Sequence, residues 1–132
     1  MTLHKICILG AGTLGSRVAL QSAISGFTVS IFDLKQASLD SAILTMQKIL
    51  RQLVRGGTLT ESQVPEILQR IQPTLDLAEA LKDADLVNES VTEDVTIKKS
   101  LWTEVGKLAA PHTWLTTNTS YLLPSQFAEE TG

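Results

Sequence analysis

The apolar run Ile6-Cys7-Ile8-Leu9 breaks directly into Gly10-Ala-Gly-Thr-Leu-Gly15, three glycines spaced G-x-G-x-x-G. Few short patterns limit a fold as tightly, because a buried strand must end, the chain must turn sharply and a helix must start almost at once. Leu14, Val18 and Ala19 then recur at helical spacing, and Gly26 supplies a C-terminal stop. Phe27–Phe32 reads as a second strand, ending at Asp33. Strand, glycine turn, helix and strand make a complete βαβ unit, and a right-handed crossover makes its two strands parallel.

The rest of the chain continues the alternation with one interruption. Leu39, Ile43, Met46, Ile49, Leu50 and Leu53 trace one face of a long helix that stops at Gly56-Gly57. A second helix starts near Thr60 or Ser62 and runs to about Ile71; Pro65 favours the later start, which puts it in the first turn. This pair is expected to stand off the sheet as a hairpin. There follow a short strand over 72–75, a small helix over 77–82 and a strand over 84–90. Ile97, Leu101, Val105 and Leu108 mark the next helix, ended by Pro111; a strand over 113–117 and a helix from Pro124 complete the pattern. The fold expected is α/β, a Rossmann-type doubly wound parallel sheet with a helical hairpin inserted after the second strand.

The chain of 132 residues, 43% hydrophobic and 19% charged, suits one globular domain with its own core. No apolar run approaches a membrane span, and the four residues before the first apolar run leave no room for a signal peptide, so neither membrane nor export is expected. The single cysteine, Cys7, lies inside an apolar run and reads as a buried thiol in a reducing, cytoplasmic setting. A net charge of −3 without a basic stripe argues against a nucleic-acid surface, and Lys48, Arg51 and Arg55 read as the solvated face of a helix.

The glycines carry a binding chemistry. Gly10 permits the tight turn, Gly12 lets a diphosphate approach the backbone, and Gly15 allows close packing of helix on strand. The N–H groups of the first helical turn, at Thr13 and Leu14, face the same phosphates at the positive end of the helix dipole. Asp33 lies 18 residues beyond Gly15 at a strand end, where a carboxylate accepts hydrogen bonds from a ribose diol and repels a 2′-phosphate, so NAD is the expected cofactor. Ser90, Glu93, Asn118, Thr119 and Ser120 follow the next two strands and would face the same crevice, although loop polarity alone produces similar lists.

The stretch A-D-L-V-N-E-S-V-T-E-D-V-T-I-K-K, with T-N-T-S ahead of a helix, resembles the NAD-binding domain of the L-3-hydroxyacyl-CoA dehydrogenases over essentially the whole chain. The resemblance implies that Ser90, Glu93, Lys98 and Asn118 lie with the cofactor, Lys98 also approaching an acyl-CoA. It implies that Ser120 hydrogen-bonds the reacting oxygen of the substrate, as a catalytic residue. Two features depart from the family. Asn88 stands where an aliphatic residue is usual, and the hairpin lacks the serine and lysine that contact CoA. The substrate is accordingly an acyl-CoA or a free 3-hydroxy acid such as L-gulonate or carnitine. The family's general base is a histidine paired with a glutamate, in an all-helical domain that also makes the homodimer; both are expected beyond Gly132. His4 and His112 read as surface residues away from the crevice. A stand-alone, non-catalytic dinucleotide module, or the product of a truncated gene, is the alternative reading.

Overall fold

The computed structural model describes residues 3–90 and 95–117. Five strands form: β1 (Lys5–Leu9) and β2 (Thr28–Phe32), which are apolar and β-branched, and the shorter, more polar β3 (Ile71–Thr74), β4 (Leu86–Glu89) and β5 (Trp114–Thr117). Between them lie helices α1 (Thr13–Ile24), α2 (Gln36–Arg55), α3 (Gln63–Gln69), α4 (Leu77–Leu81) and α5 (Val95–Leu108). All pairings are parallel, in the order β3-β2-β1-β4-β5. The chain thus builds outward from β1 in one direction and then returns to build in the other. Leu9 stands opposite both Phe32 and Glu89, so the carboxyl ends of the three central strands lie at one level.

Helices cover both faces, which is why β1 is a nearly unbroken apolar run rather than an alternating one. Ile6, Ile8, Val29 and Ile31 pack with Ala19, Leu20 and Ala23 of α1, with Leu39, Met46 and Leu50 of α2 and with Ile67 of α3. Cys7, Leu9, Phe32 and Val87 point the other way, onto Ala80 and Leu81 of α4 and Trp102 and Val105 of α5. Cys7 is buried and unpaired, and desolvation pushes its thiol up to about 11. None of the described helices is long and apolar enough to cross a membrane.

Three details differ from the sequence reading. The helical pair does not stand off the sheet. The buried stripe of α2 packs along α1, whose own inner side lies on the strands, and α3 packs on α1 and β3. Ile71 ends no helix but opens β3: Val29 is its strand partner and donates its N–H to Arg70 O at 2.8 Å, so sheet pairing overrides helical continuation. Leu108 is 45% exposed, whereas Trp102 is buried, so the inner face of α5 is turned toward Trp102 and Val105. Lys48, Arg51 and Arg55 are exposed, as expected.

Candidate functional site

The glycine loop closes the carboxyl end of β1. Gly10 adopts φ 107, a left-handed conformation that strains any residue with a Cβ, and donates its N–H to Phe32 O at 2.7 Å. That bond ties the loop to the end of β2. Gly15 has a different reason to be glycine: a Cβ there would overlap the Gly10 carbonyl oxygen and approach Ser90 Cβ at 3.4 Å. Ser16 locks the same turn, its buried Oγ donating to Gly12 O at 2.6 Å.

Gly12 has neither reason. Its φ of −75 suits any residue, and an added Cβ would meet nothing within 4 Å. The protein itself does not require glycine here; what the missing side chain leaves open is the outer surface of the loop. Directly behind it α1 starts with no side-chain cap and no acidic residue in its first turn. The first N–H groups and the positive end of the helix are therefore presented to whatever occupies that surface. Thr13 and Leu14 are exposed beside it, Leu14 at 51%.

Asp33, 22 residues beyond Ala11 in sequence but adjacent in space, is fixed to this loop. Its Oδ2 accepts the Ala11 N–H at 2.9 Å and its Oδ1 accepts the Lys35 N–H at 3.0 Å. A carboxylate so held is half-buried and retains further lone pairs that can accept hydrogen bonds. Between the loop and α2 lies a cavity of about 330 Å³, lined by Thr13, Ser16, Ser38, Ser41 and Thr45 hydroxyls and small residues, with no charged side chain.

On the other side of β1, Ser90 donates its N–H to Leu9 O at 2.7 Å and its Oγ to Asn88 Oδ1 at 3.1 Å. Asn88 in turn donates from Nδ2 to Thr116 Oγ1 at 3.2 Å. Asn88 is thus a bridge from β4 to β5 that also accepts a hydrogen bond from Ser90.

The structure therefore brings Gly10, Gly12, Thr13, Leu14, Gly15, Asp33 and Ser90 to one polar edge, at the carboxyl ends of the strands. Lys98 lies in the first turn of α5, and Glu93, Asn118 and Ser120 fall outside the described residues. His4 and His112 are exposed at the opposite edge, where the strands begin. There Asp85 Oδ2 accepts the His4 and Lys5 N–H groups at 2.8 and 3.0 Å, and His112 Nε2 stands 3.5 Å from its Oδ1. Bonds from the Lys5 and then the His4 backbone, with the nearby histidines adding less, hold that carboxyl below the usual range.

Two contributors escaped the sequence reading. One is Ala11, whose backbone N–H fixes Asp33; a backbone donor leaves no trace in residue identity. The other is Glu89, a carboxyl fully buried at the carboxyl end of β4. Its signal was present, as a charged residue ending a buried strand and the first glutamate of the E-x-V-x-E pattern.

Comparison with known proteins places this geometry. The family described as "3-hydroxyacyl-CoA dehydrogenase, NAD binding domain" matches residues 5–132. The 3-hydroxybutyryl-CoA dehydrogenase of Clostridioides difficile is 33% identical over 127 residues, covering 96% of this chain and 45% of its own. Mycobacterium tuberculosis FadB2 superposes with a TM-score of 0.94 at 29% identity, over 98% of this chain and 46% of its own. A diketoreductase acting on dicarbonyl compounds superposes with a TM-score of 0.91 at 36% identity, over 100% of this chain and 47% of its own. The chain spans less than half the length of the curated relatives it matches, from 17% to 45%. On its glycine loop, its strand order and these likenesses together, the chain belongs to the family of the NAD-binding domain of 3-hydroxyacyl-CoA dehydrogenases.

Proposed function

We propose that this domain holds NAD across the carboxyl edge of its sheet and serves an oxidoreductase that interconverts an L-3-hydroxyacyl substrate and its 3-keto product. The observation that carries the reading is Gly12: glycine is kept where neither backbone conformation nor internal packing asks for it, at the uncapped start of α1. In this reading Gly10, Gly12, Thr13, Leu14 and Gly15 form the diphosphate cradle, and Asp33 receives the adenosine ribose diol. Ser90, Glu93, Lys98 and Asn118 belong to the nicotinamide side, and Ser120 hydrogen-bonds the substrate oxygen. Bound NAD supplies the hydride acceptor.

The proton of the substrate hydroxyl needs a base, and His4 and His112 stand at the far edge, His112 facing Asp85. We assign the base to a histidine of a further, helical domain that also mediates homodimerisation, and we place the protein in the cytoplasm, a setting in keeping with the buried, reduced Cys7. Similarity to 3-hydroxyacyl-CoA dehydrogenases favours an acyl-CoA substrate; similarity to a diketoreductase keeps a free keto or hydroxy compound as the second reading.

Calorimetric titration of the chain and of Asp33→Ala with NAD, NADP and acetoacetyl-CoA tests this. NAD should bind the wild type well ahead of NADP, and Asp33→Ala should lose roughly tenfold in NAD affinity and most of that preference. Equal affinity of the wild type for the two dinucleotides would remove Asp33 from its role, and absence of NAD binding would remove the reading altogether.

A further inference from the structure

We infer that Asn88 is a positioning residue, which couples the end of β5 to the residue that follows β4 and so orders the nicotinamide side of the site. The coupling rests on the cofactor reading above and deepens it.

Asn88 is the only amide in the three central strands, β2, β1 and β4, where parallel pairing on both sides ordinarily selects apolar residues. It is half-buried, with Ile8 as its strand partner on one side and Thr116 on the other. The polarity of its bonds fixes which way the amide points. Thr116 Oγ1 donates its single hydrogen to Val87 O at 3.0 Å, so toward Asn88 it can only accept. Asn88 therefore turns Nδ2 to Thr116, at 3.2 Å, and its Oδ1 accepts the Ser90 hydroxyl at 3.1 Å. An aliphatic or purely accepting side chain cannot close the same chain, because it needs a donor and an acceptor on one group. Ser90 is also held through its backbone, whose N–H donates to Leu9 O at 2.7 Å, and its Cβ lies 3.4 Å from where a Gly15 Cβ would stand. Three bonded side chains thus run along the carboxyl edge from β5 across β4 to the glycine loop.

That chain joins groups the cofactor reading uses. Ser90 belongs to the nicotinamide side, and Thr116 stands two positions before Asn118 and four before Ser120 in sequence. An unrestrained hydroxyl divides its time among several staggered positions, whereas one bonded to Asn88 is already in a single position when a ligand arrives. The ordering cost then falls on folding and not on binding. The adenosine and diphosphate groups, held at Asp33 and the glycine loop in the same reading, gain nothing from it.

The test is calorimetric titration of NAD, and of ADP-ribose, which lacks the nicotinamide ring, into the wild-type chain, Asn88→Leu, Thr116→Val and Thr116→Ser, with melting temperatures measured alongside. The wild type should hold NAD tighter than ADP-ribose. Asn88→Leu and Thr116→Val should each weaken NAD by about three- to tenfold and leave ADP-ribose within about twofold, without lowering the melting temperature. Combining the two should lose little more than either alone, because both break one chain. Thr116→Ser keeps the hydroxyl and should retain most of the NAD affinity. NAD bound undiminished by Asn88→Leu or Thr116→Val overturns the inference and leaves the cofactor reading intact. So does a loss shared equally by NAD and ADP-ribose, which marks a merely structural role, and so does a wild type that holds the two ligands equally. Should Asn88→Leu fail to fold, the variants of the exposed Thr116 decide by the same criteria. A wild-type chain that binds neither ligand overturns both.

Discussion

Replacing Gly15 by alanine tests the site most severely, because one methyl group separates two roles of glycine. The new Cβ would overlap the Gly10 carbonyl oxygen, lie 3.0 Å from the Gly10 carbonyl carbon and touch Ser90 Cβ at 3.4 Å. Carbon atoms settle at roughly 3.5–4.0 Å and the overlap with the carbonyl oxygen is tighter still, so the first turn of α1 has to retreat from β1 by more than about 1 Å. The obstacle is backbone, which is itself anchored by the Gly10 N–H to Phe32 O bond, so it cannot swing aside as a side chain would. Overpacking of this kind costs about 1–3 kcal/mol, and an obstacle made of backbone argues for the upper half of that range; better helix propensity returns less than about 1 kcal/mol. The expected net loss is about 2 kcal/mol, a fall of roughly 6–12 °C in melting temperature for a chain of this size. Because the displaced turn is the phosphate cradle, NAD affinity should fall as well. Gly12→Ala supplies the contrast. Its Cβ meets nothing within 4 Å, so melting should change by less than about 0.5 kcal/mol while NAD affinity drops at least roughly tenfold. Differential scanning calorimetry and NAD titration on both variants decide the matter. If Gly15→Ala melts like the wild type, or Gly12→Ala binds NAD undiminished, the division of labour drawn between these glycines is wrong.

The remaining predictions concern groups away from the cradle. Cys7 is buried and its thiol is pushed up to about 11, so at pH 8 it should resist a thiol reagent in the native state and react fully once denaturant is added; rapid native reaction would contradict its burial. Asp85 has its carboxyl lowered by backbone N–H bonds, so its contribution to stability is present above the ordinary carboxylate range and is lost as pH falls through its lower folded-state value. Asp85→Ala should therefore melt below the wild type at pH 7, with the gap narrowing as pH falls below the ordinary carboxylate range; a gap independent of pH would show that charge plays no part there.

What was legible in the sequence follows from which interactions are local. Strand β1, the glycine turn, α1 and β2 are set by apolar periodicity and by glycines placed at φ 107 and φ 101, conditions that operate within a few residues. The family resemblance could be read for the same reason, since motif spacing is a property of the chain alone. The hairpin was placed correctly along the chain, but its docking was not: the stripe of Leu39, Met46 and Leu50 announces a buried face without saying which neighbour covers it. Likewise Ile71 continues a helical pattern until Val29 pairs with it, and the apolar positions of α5 cannot reveal that Trp102 faces inward and Leu108 outward.

By itself, then, the sequence determined the βαβ opening, the alternation that demands a parallel sheet, and the residue types of a dinucleotide site, because each depends on backbone conformation and short-range spacing. Tertiary structure alone decided how those residues meet. It brought the Ala11 N–H to Asp33 across 22 positions, set Asn88 against Thr116 across 28, and showed that Gly15 is glycine for the protein's sake whereas Gly12 leaves its space open. Such contacts join distant segments through backbone atoms and empty volume, and neither of these is written in the identity of any one residue.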